Sequence, residues 1–336
     1  MNTRKLNHIT IAKRDNILSK LSNGFEDYRF EYNAFPEINF DDIDTSTSFL
    51  GKTLSMPLMI SAITGGINES IQINNTLAQF AQNYSIAMGI GSERILLEND
   101  ALLNKGFNIR KLAPDILLFA NLGAVQLNYG YTVEHCKKAV NLIEADAVAL
   151  HINPLQEVFQ NSGNTNFDNL LSKIEILCKN VNVPVIVKEI GFGISKNVAQ
   201  KLVDIGVSCI DVAGRGGTDW IKIESISSEN KIIQNVAKDF DEIGIRTADA
   251  LYDIQNINIL KIASGGIRNG IEIAKAIALG ADITGIARGF LLNLDNLDEY
   301  YLTLLKSLQI CMFSIGVKSI KELKSTTKIK FKTNTK

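Results

Sequence analysis

Short apolar runs, each bounded by Gly, Pro or Asn, recur along the chain. They lie at Pro57–Ala62, Ile86–Ile90, Leu117–Leu122 and Ala147–Ile152, then at Val185–Glu189, Cys209–Val212, Leu260–Ser264 and Thr284–Ala287. Runs of this kind read as β-strands. Between them the apolar positions switch to i, i+3, i+4 spacing, as in Ile71–Tyr84, Val133–Glu144 and Ile271–Leu279, which predicts helices. Eight strands alternating with helices predict an α/β protein whose parallel sheet closes into a (β/α)8 barrel, the TIM-barrel architecture. An open doubly wound sheet is the alternative.

Three stretches fall outside this repeat. Residues 1–55 form an N-terminal extension, with a helical pattern around Arg14–Leu21 and extended character over Phe35–Phe49. Residues 56–316 hold the barrel and a C-terminal helix. The interval Gly214–Asn258, after the sixth strand, is too long for a simple crossover and predicts an inserted helix or a mobile loop. The basic tail, 317–336, reads as a helix end followed by a frayed terminus.

Composition narrows the classes. At 336 residues, 46% hydrophobic and 21% charged, the chain can bury a full core. A net charge of −1 supplies no basic face for nucleic acid. The four cysteines, at 136, 178, 209 and 311, show no C-x-x-C spacing and read as reduced thiols. Met1–Lys5 leads into a polar segment with no signal-peptide core, and no run of about 18 apolar residues offers a membrane span. A cytoplasmic protein is expected.

The chemistry gathers where such a barrel builds its sites, at the C-terminal ends of strands. Ala263–Arg268 and Gly285–Phe290 both run from apolar residues into glycines, the layout of the last two strand-to-helix loops. Small residues there admit a phosphate close to backbone N–H groups. Earlier ends carry Thr64-Gly65-Gly66, Ser92-Glu93-Arg94, Asn121, His151 to Glu157, Lys188-Glu189 and Gly214-Arg215-Gly216-Gly217-Thr218. Thr64 or Ser92 alone could be no more than a helix cap. A lysine closing a buried strand must find an anion or lose its charge, so Lys188 carries more weight.

In combination, Ile60–Gly66, Leu150–Glu157, Lys188–Gly193 and Gly214–Thr218 resemble type 2 isopentenyl-diphosphate isomerases, a family of FMN-dependent (β/α)8 barrels. The match runs from Arg4-Lys5 to Ala287-Arg288, and His-x-Asn-Pro-x-Gln-Glu with the later Gly-Arg-Gly-Gly-Thr is its specific part. The resemblance implies interconversion of isopentenyl and dimethylallyl diphosphate in isoprenoid biosynthesis. Reduced FMN would act as the acid–base group, NADPH as its reductant, and Mg2+ would hold the diphosphate. For the flavin it implies Ala62, Ile63 and Thr64 beside the ring, with Ser92, Asn121, Lys188 and Thr218 as hydrogen-bonding partners. Gly266, Ile267, Arg268, Ala287 and Arg288 would hold its phosphate. For the substrate it implies Arg4, Lys5, Arg94, His151, Asn153 and Gln156, with Gln156 flanking the alkene and Glu157 on the magnesium. A homo-oligomer is expected.

Two positions depart from the family pattern. Ala213 stands where serine is common, removing one hydroxyl from the flavin site, and Glu93 stands where glutamine is usual. A carboxylate aimed at a diphosphate would repel it, so Glu93 is expected to turn away or to pair with Arg94. Gly191-Phe192-Gly193 lacks the third glycine of a dinucleotide fingerprint and follows a mid-barrel strand, which rejects a Rossmann site. Of the three histidines, His8 suits either a substrate contact or the surface, and His135 a structural role. An FMN-dependent 2-hydroxy-acid oxidase is the rival on a similar barrel, but it needs a histidine base after the sixth strand, where none stands. An inosinate-type dehydrogenase would need a cysteine in that same loop, whereas Cys209 precedes it. A catalytically silent flavin-binding relative would lose Arg94, His151, Gln156 and Glu157, all present here.

Overall fold

The computed structural model describes residues 2–63, 68–98 and 109–332, with backbone alone for 2–6, 15, 68 and 69. Three short strands, β1 (Tyr28–Phe30), β2 (Thr47–Phe49) and β3 (Lys52–Leu54), precede the barrel. The barrel strands are β4 (Leu58–Ile60), β5 (Ala87–Gly89), β6 (Leu118–Gly123) and β7 (Ala147–His151), then β8 (Val185–Lys188), β9 (Cys209–Asp211), β10 (Leu260–Ser264) and β11 (Ile283–Ile286). They close in chain order, β11 pairing with β4, and every pairing is parallel. All eight expected strands are therefore present, and closure excludes the open sheet.

Two apolar layers hold the barrel. Inward-facing Met59, Phe119, Ala149, Ile186, Cys209 and Ile262 pack with Phe49 and Leu54 of the β2–β3 hairpin, which plugs one end. Outward-facing residues such as Ile60, Leu118, Leu150 and Val187 meet the helix ring. Cys209 is thus interior packing, and burial pushes its thiol well above the usual range.

Outside the repeat, three expectations change. The first helix is Asn2–Ala12 rather than Arg14–Leu21. The later stretch turns as a 3-10 helix over Asp15–Ile17 and then bridges the barrel mouth, Leu18 opposite Thr218 and Ser19 N–H donating to Gly217 O at 2.9 Å. Those cross-chain bonds satisfy backbone groups that a helix would have used internally. The segment Phe35–Phe49 is extended only in part, with a 3-10 turn at Phe40–Asp42 before β2. The tail is ordered through residue 332: Ser319 caps a helix at Ile320–Lys324, Leu323 is buried, and β12 (Ile329–Phe331) pairs antiparallel with β1. Phe331 meets Tyr28 edge-on with ring centres 5.3 Å apart, apolar area that the Lys-rich composition hid. Residues 333–336 lie outside the described residues.

The long interval after β9 carries inserted helices, Trp220–Ser227 and Lys231–Val236, ahead of Thr247–Ile254. Arg215 pins this insert. Its side chain is wholly buried, Nη2 donates to Asp219 Oδ2 at 2.9 Å and to Asp241 O at 2.7 Å, and the guanidinium sits 4.9 Å from the centre of the Phe192 ring. Asp219 in turn caps Trp220–Ser227 by accepting from Ile221 and Lys222 N–H. Arg215→Met keeps the bulk and leaves Asp219 buried without its cation. Denaturant unfolding of this variant is expected to show a loss of about 3–5 kcal/mol. A loss within ±0.5 kcal/mol would mean that the pair does not pin the insert.

Candidate active site

The strand register sets the site. Across the C-terminal rim Gly123 is opposite His151, His151 opposite Lys188, and Lys188 opposite Asp211. One cavity of about 510 Å3 opens above this row. Its lining includes His151 and Lys188, and the glycine loops at its far side.

Hydrogen bonds aim these groups. Asn121 Nδ2 donates to Ile90 O at 2.9 Å, which turns its Oδ1 toward His151 Nδ1, also at 2.9 Å. Lys188 Nζ donates to Glu189 O at 2.6 Å rather than pairing with the Glu189 carboxylate, which instead accepts from the N–H groups of Ile190, Gly191 and Phe192. Burial pushes the Glu189 carboxyl up to about 7 against those donors. Burial also raises Asp211, opposed by the Lys188 charge and by Ser264, whose Oγ donates to it at 2.7 Å.

On the loop after β7, Asn153 Nδ2 donates to Gln156 Oε1 and to Glu157 Oε1, both at 3.0 Å. Gln156 Nε2 donates to Glu224 Oε1 at 2.8 Å, so its amide is held from both sides. Glu157 Oε2 accepts from Asn164 N–H at 2.5 Å. Arg94 is paired with Glu98 at 3.1 Å, where an incoming anion could compete for it. His8, on the first helix, lies 3.6 Å from Glu224 and edge-on to Trp220 with ring centres 6.0 Å apart.

The structure brings the expected substrate residues Arg94, His151, Asn153 and Gln156 to this one cavity, with Glu157. Ala62, Ile63, Ser92, Asn121, Lys188 and Thr218 line it too, as do the loops Gly266–Arg268 and Ala287–Arg288. Thr64 lies outside the described residues, as do the side chains of Arg4 and Lys5. The two loop arginines already hold backbone: Arg268 donates to Gly266 O and Gly216 O, and Arg288 to Ala12, Lys13 and Arg14 O. Ala213 adopts φ +36°, an unusual angle for a residue with a Cβ. His135 caps a helix and stacks on Tyr131 at 4.7 Å, a structural place.

Sequence reading missed Trp220 and Glu224. The single tryptophan in an overlong crossover was the available signal for the first. Glu224 had none, because only the inserted helix carries it behind Gln156.

The residues present fit a bound polar group. Three buried polar atoms of cavity-lining residues, Ser61 Oγ, His8 Nε2 and Asn153 Oδ1, have no hydrogen-bond partner among the described residues. Gly285 keeps the floor open, since a Cβ there would run into Ser61 Oγ. For a hard cation, Glu157 offers one carboxylate, and no group of three or more His, Cys, Asp or Glu able to hold a metal occurs among the described residues. Such an ion would need most of its oxygens from a ligand and water, as magnesium often does.

Comparison with known proteins gives the family and the fold. Residues 126–330 match the family model of FMN-dependent dehydrogenases. The chain is 47% identical to the isopentenyl-diphosphate delta-isomerase of Rickettsia canadensis over 327 residues, covering 95% of each chain. It is 49% identical to that of a Nostoc species over 292 residues, covering 86% of this chain and 83% of the other. Among solved structures it resembles the flavin-binding domain of baker's yeast flavocytochrome b2, with TM-score 0.67, 17% identity and 97% of this chain covering 82% of that one. It also resembles a lactate oxidase of Pediococcus acidilactici, with TM-score 0.65, 16% identity and 98% covering 94%. At such identities these structures speak for the fold alone.

Gly285→Ala should crowd the floor through Ser61. Equilibrium dialysis is expected to show roughly tenfold weaker FMN binding, with the protein still folded. Unchanged affinity would place the flavin elsewhere.

Proposed function

The chain belongs to the isopentenyl-diphosphate delta-isomerase family, and from that premise we propose that it interconverts isopentenyl and dimethylallyl diphosphate in isoprenoid biosynthesis, using FMN. The observation that carries the reading is the Asn153–Gln156–Glu224 chain in the same cavity as Lys188. It presents an aimed amide and a cation to one cavity that also has glycine-lined loops. Bound reduced FMN would supply the acid–base group for the allylic proton shift.

The protein's share is holding and aiming. Lys188 brings positive charge to the rim beside Asp211, suited to an anionic reduced flavin. Ala62, Ile63 and Thr64 would face the ring, with Ser92, Asn121 and Thr218 bonding to it. Gly266, Ile267, Arg268, Ala287 and Arg288 would surround the phosphate, Arg268 exchanging the bond its N–H now makes to Glu272 Oε2, with the two arginine side chains stabilising the loops. Gln156 would rest against the alkene, its orientation fixed by Asn153 and Glu224. His151, aimed by Asn121, and Arg94, released from Glu98, would take the diphosphate together with Arg4 and Lys5. Glu157 would add the one protein carboxylate to Mg2+. NADPH is the proposed reductant, and the free cysteines suit a reducing cytoplasmic setting. No helix among the described residues is long and apolar enough to cross a membrane. Exposed Leu302 and Ile310 on Leu297–Ser314 support a homo-oligomer.

The 2-hydroxy-acid oxidase reading shares the fold. The loop after β9, Gly214–Thr218, offers it no histidine base, and His135 is committed to its helix cap.

Anaerobic assays test the proposal. Turnover is expected with flavin reduced by dithionite or NADPH and almost none with oxidised flavin, although the reaction is redox-neutral. Equal rates in both states would remove the flavin from the chemistry. Glu157→Gln keeps the shape and loses the formal charge. A magnesium titration of activity should shift roughly tenfold to higher concentration with flavin content unchanged. A wild-type magnesium curve would mean that Glu157 is not the ligand.

A further inference from the structure

Glu93 has no exposed surface, although Ser92 and Arg94 on either side of it line the cavity. Its side chain turns away from the cavity into the wall behind Asn121. The two residues clasp each other: Glu93 N–H donates to Asn121 O, and Asn121 N–H donates to Glu93 Oε2, both at 2.9 Å. Glu93 Oε1 has no hydrogen-bond partner among the described residues. The neighbouring cation, Arg94, is held by Glu98. From the helix Val133–Ile143 the nearby titratable group is Cys136, whose thiol is itself pushed up to about 12 by burial and by the Glu93 charge. From β7 it is His151, one hydrogen bond beyond, on Asn121 Oδ1.

We propose that Glu93 works as a neutral carboxylic acid and is a positioning residue for the Asn121–His151 pair, so that its ionisation slackens the wall of the active site. A neutral acid still offers a carbonyl oxygen to Asn121 N–H, while its other oxygen carries the proton and no bare charge is buried. Burial pushes the group up to about 8, opposed only by the Asn121 N–H. Above that value a buried anion without a counter-ion must draw in water or move. Asn121 is the residue it is clasped to, so the disturbance passes to the bond that aims His151.

The linkage has a definite direction. The unfolded chain releases this proton near the ordinary 4.5, and the folded chain holds it to about 8. The stability from the neutral group is full below the first value and is lost as pH rises through the second. Glutamine has the same shape and cannot ionise, so Glu93→Gln removes the pH dependence while keeping the clasp. Glu93→Ala removes the clasp.

The experiment compares FMN-loaded wild type, Glu93→Gln and Glu93→Ala from about pH 6 to about pH 10, by infrared spectroscopy and by KM for isopentenyl diphosphate. The wild-type spectrum minus that of Glu93→Gln should show the carbonyl band of one further buried protonated acid, beyond those of Glu189 and Asp211, titrating away in alkali. Over the same range the wild-type KM should rise roughly fivefold, while that of Glu93→Gln stays flat and that of Glu93→Ala is raised throughout. No such band in acid, or the same alkaline rise in Glu93→Gln, would overturn the inference. The kinetic arm rests on the isomerase reading. Absence of turnover in the wild type at every pH would count against that reading, and the infrared arm would still decide the protonation of Glu93.

Discussion

The pairing of β7, β8 and β9 is the constraint on which the site depends. Parallel register sets His151 beside Lys188 and Lys188 beside Asp211, so a histidine, a cation and a buried acid stand in one row at the rim. A slip of one residue would send each side chain to the opposite face of its strand. Inward packing of Ala149, Ile186 and Cys209 on the same strands fixes that register, so the core below determines the chemistry above.

From this row the work divides between two sides of the mouth. The loops after β10 and β11 are built of small residues and backbone, and their arginines bind backbone carbonyls. The opposite side is built of side chains held in pairs, such as Asn121 with His151 and Gln156 with Glu224. The inserted helix Trp220–Ser227 closes over that side, and the first helix spans the mouth from there, with His8 near Glu224 and Ile9 and Ala12 against Leu291 and Arg288 after β11. Arg215 fastens the inserted helix through Asp219, Arg288 holds the end of the first helix at Ala12 O, and the Leu18–Thr218 bridge ties the segment that follows it to the loop after β9.

Most of this was legible in the sequence, for a physical reason. Strands of a closed parallel barrel are apolar throughout and their rim residues follow immediately, so locating a strand end locates a site residue. All eight runs were found that way, and strand-end residues such as Lys188 and Gln156 line the cavity, their proposed roles resting on the family resemblance. What was hidden depends on distant contacts. Glu224 becomes part of the site only because an insert folds back 68 residues later in the chain. The tail looked frayed because Lys alternates through it, yet Ile329 and Phe331 flank a lysine in a strand that pairs with β1. Glu93 was expected to turn away or to pair with Arg94; it turns away, because Asn121 N–H offers a partner in the wall and Glu98 already holds Arg94.

A barrel shaped like those of flavin oxidases would here perform a proton shift without net oxidation. Proton NMR of isopentenyl diphosphate incubated anaerobically in D2O with the reduced holoenzyme and magnesium decides this. Dimethylallyl diphosphate carrying solvent deuterium, with no oxidised product, is the expected outcome. Unchanged isopentenyl diphosphate, together with a 2-oxo acid formed when the oxidised holoenzyme is given lactate, would contradict it.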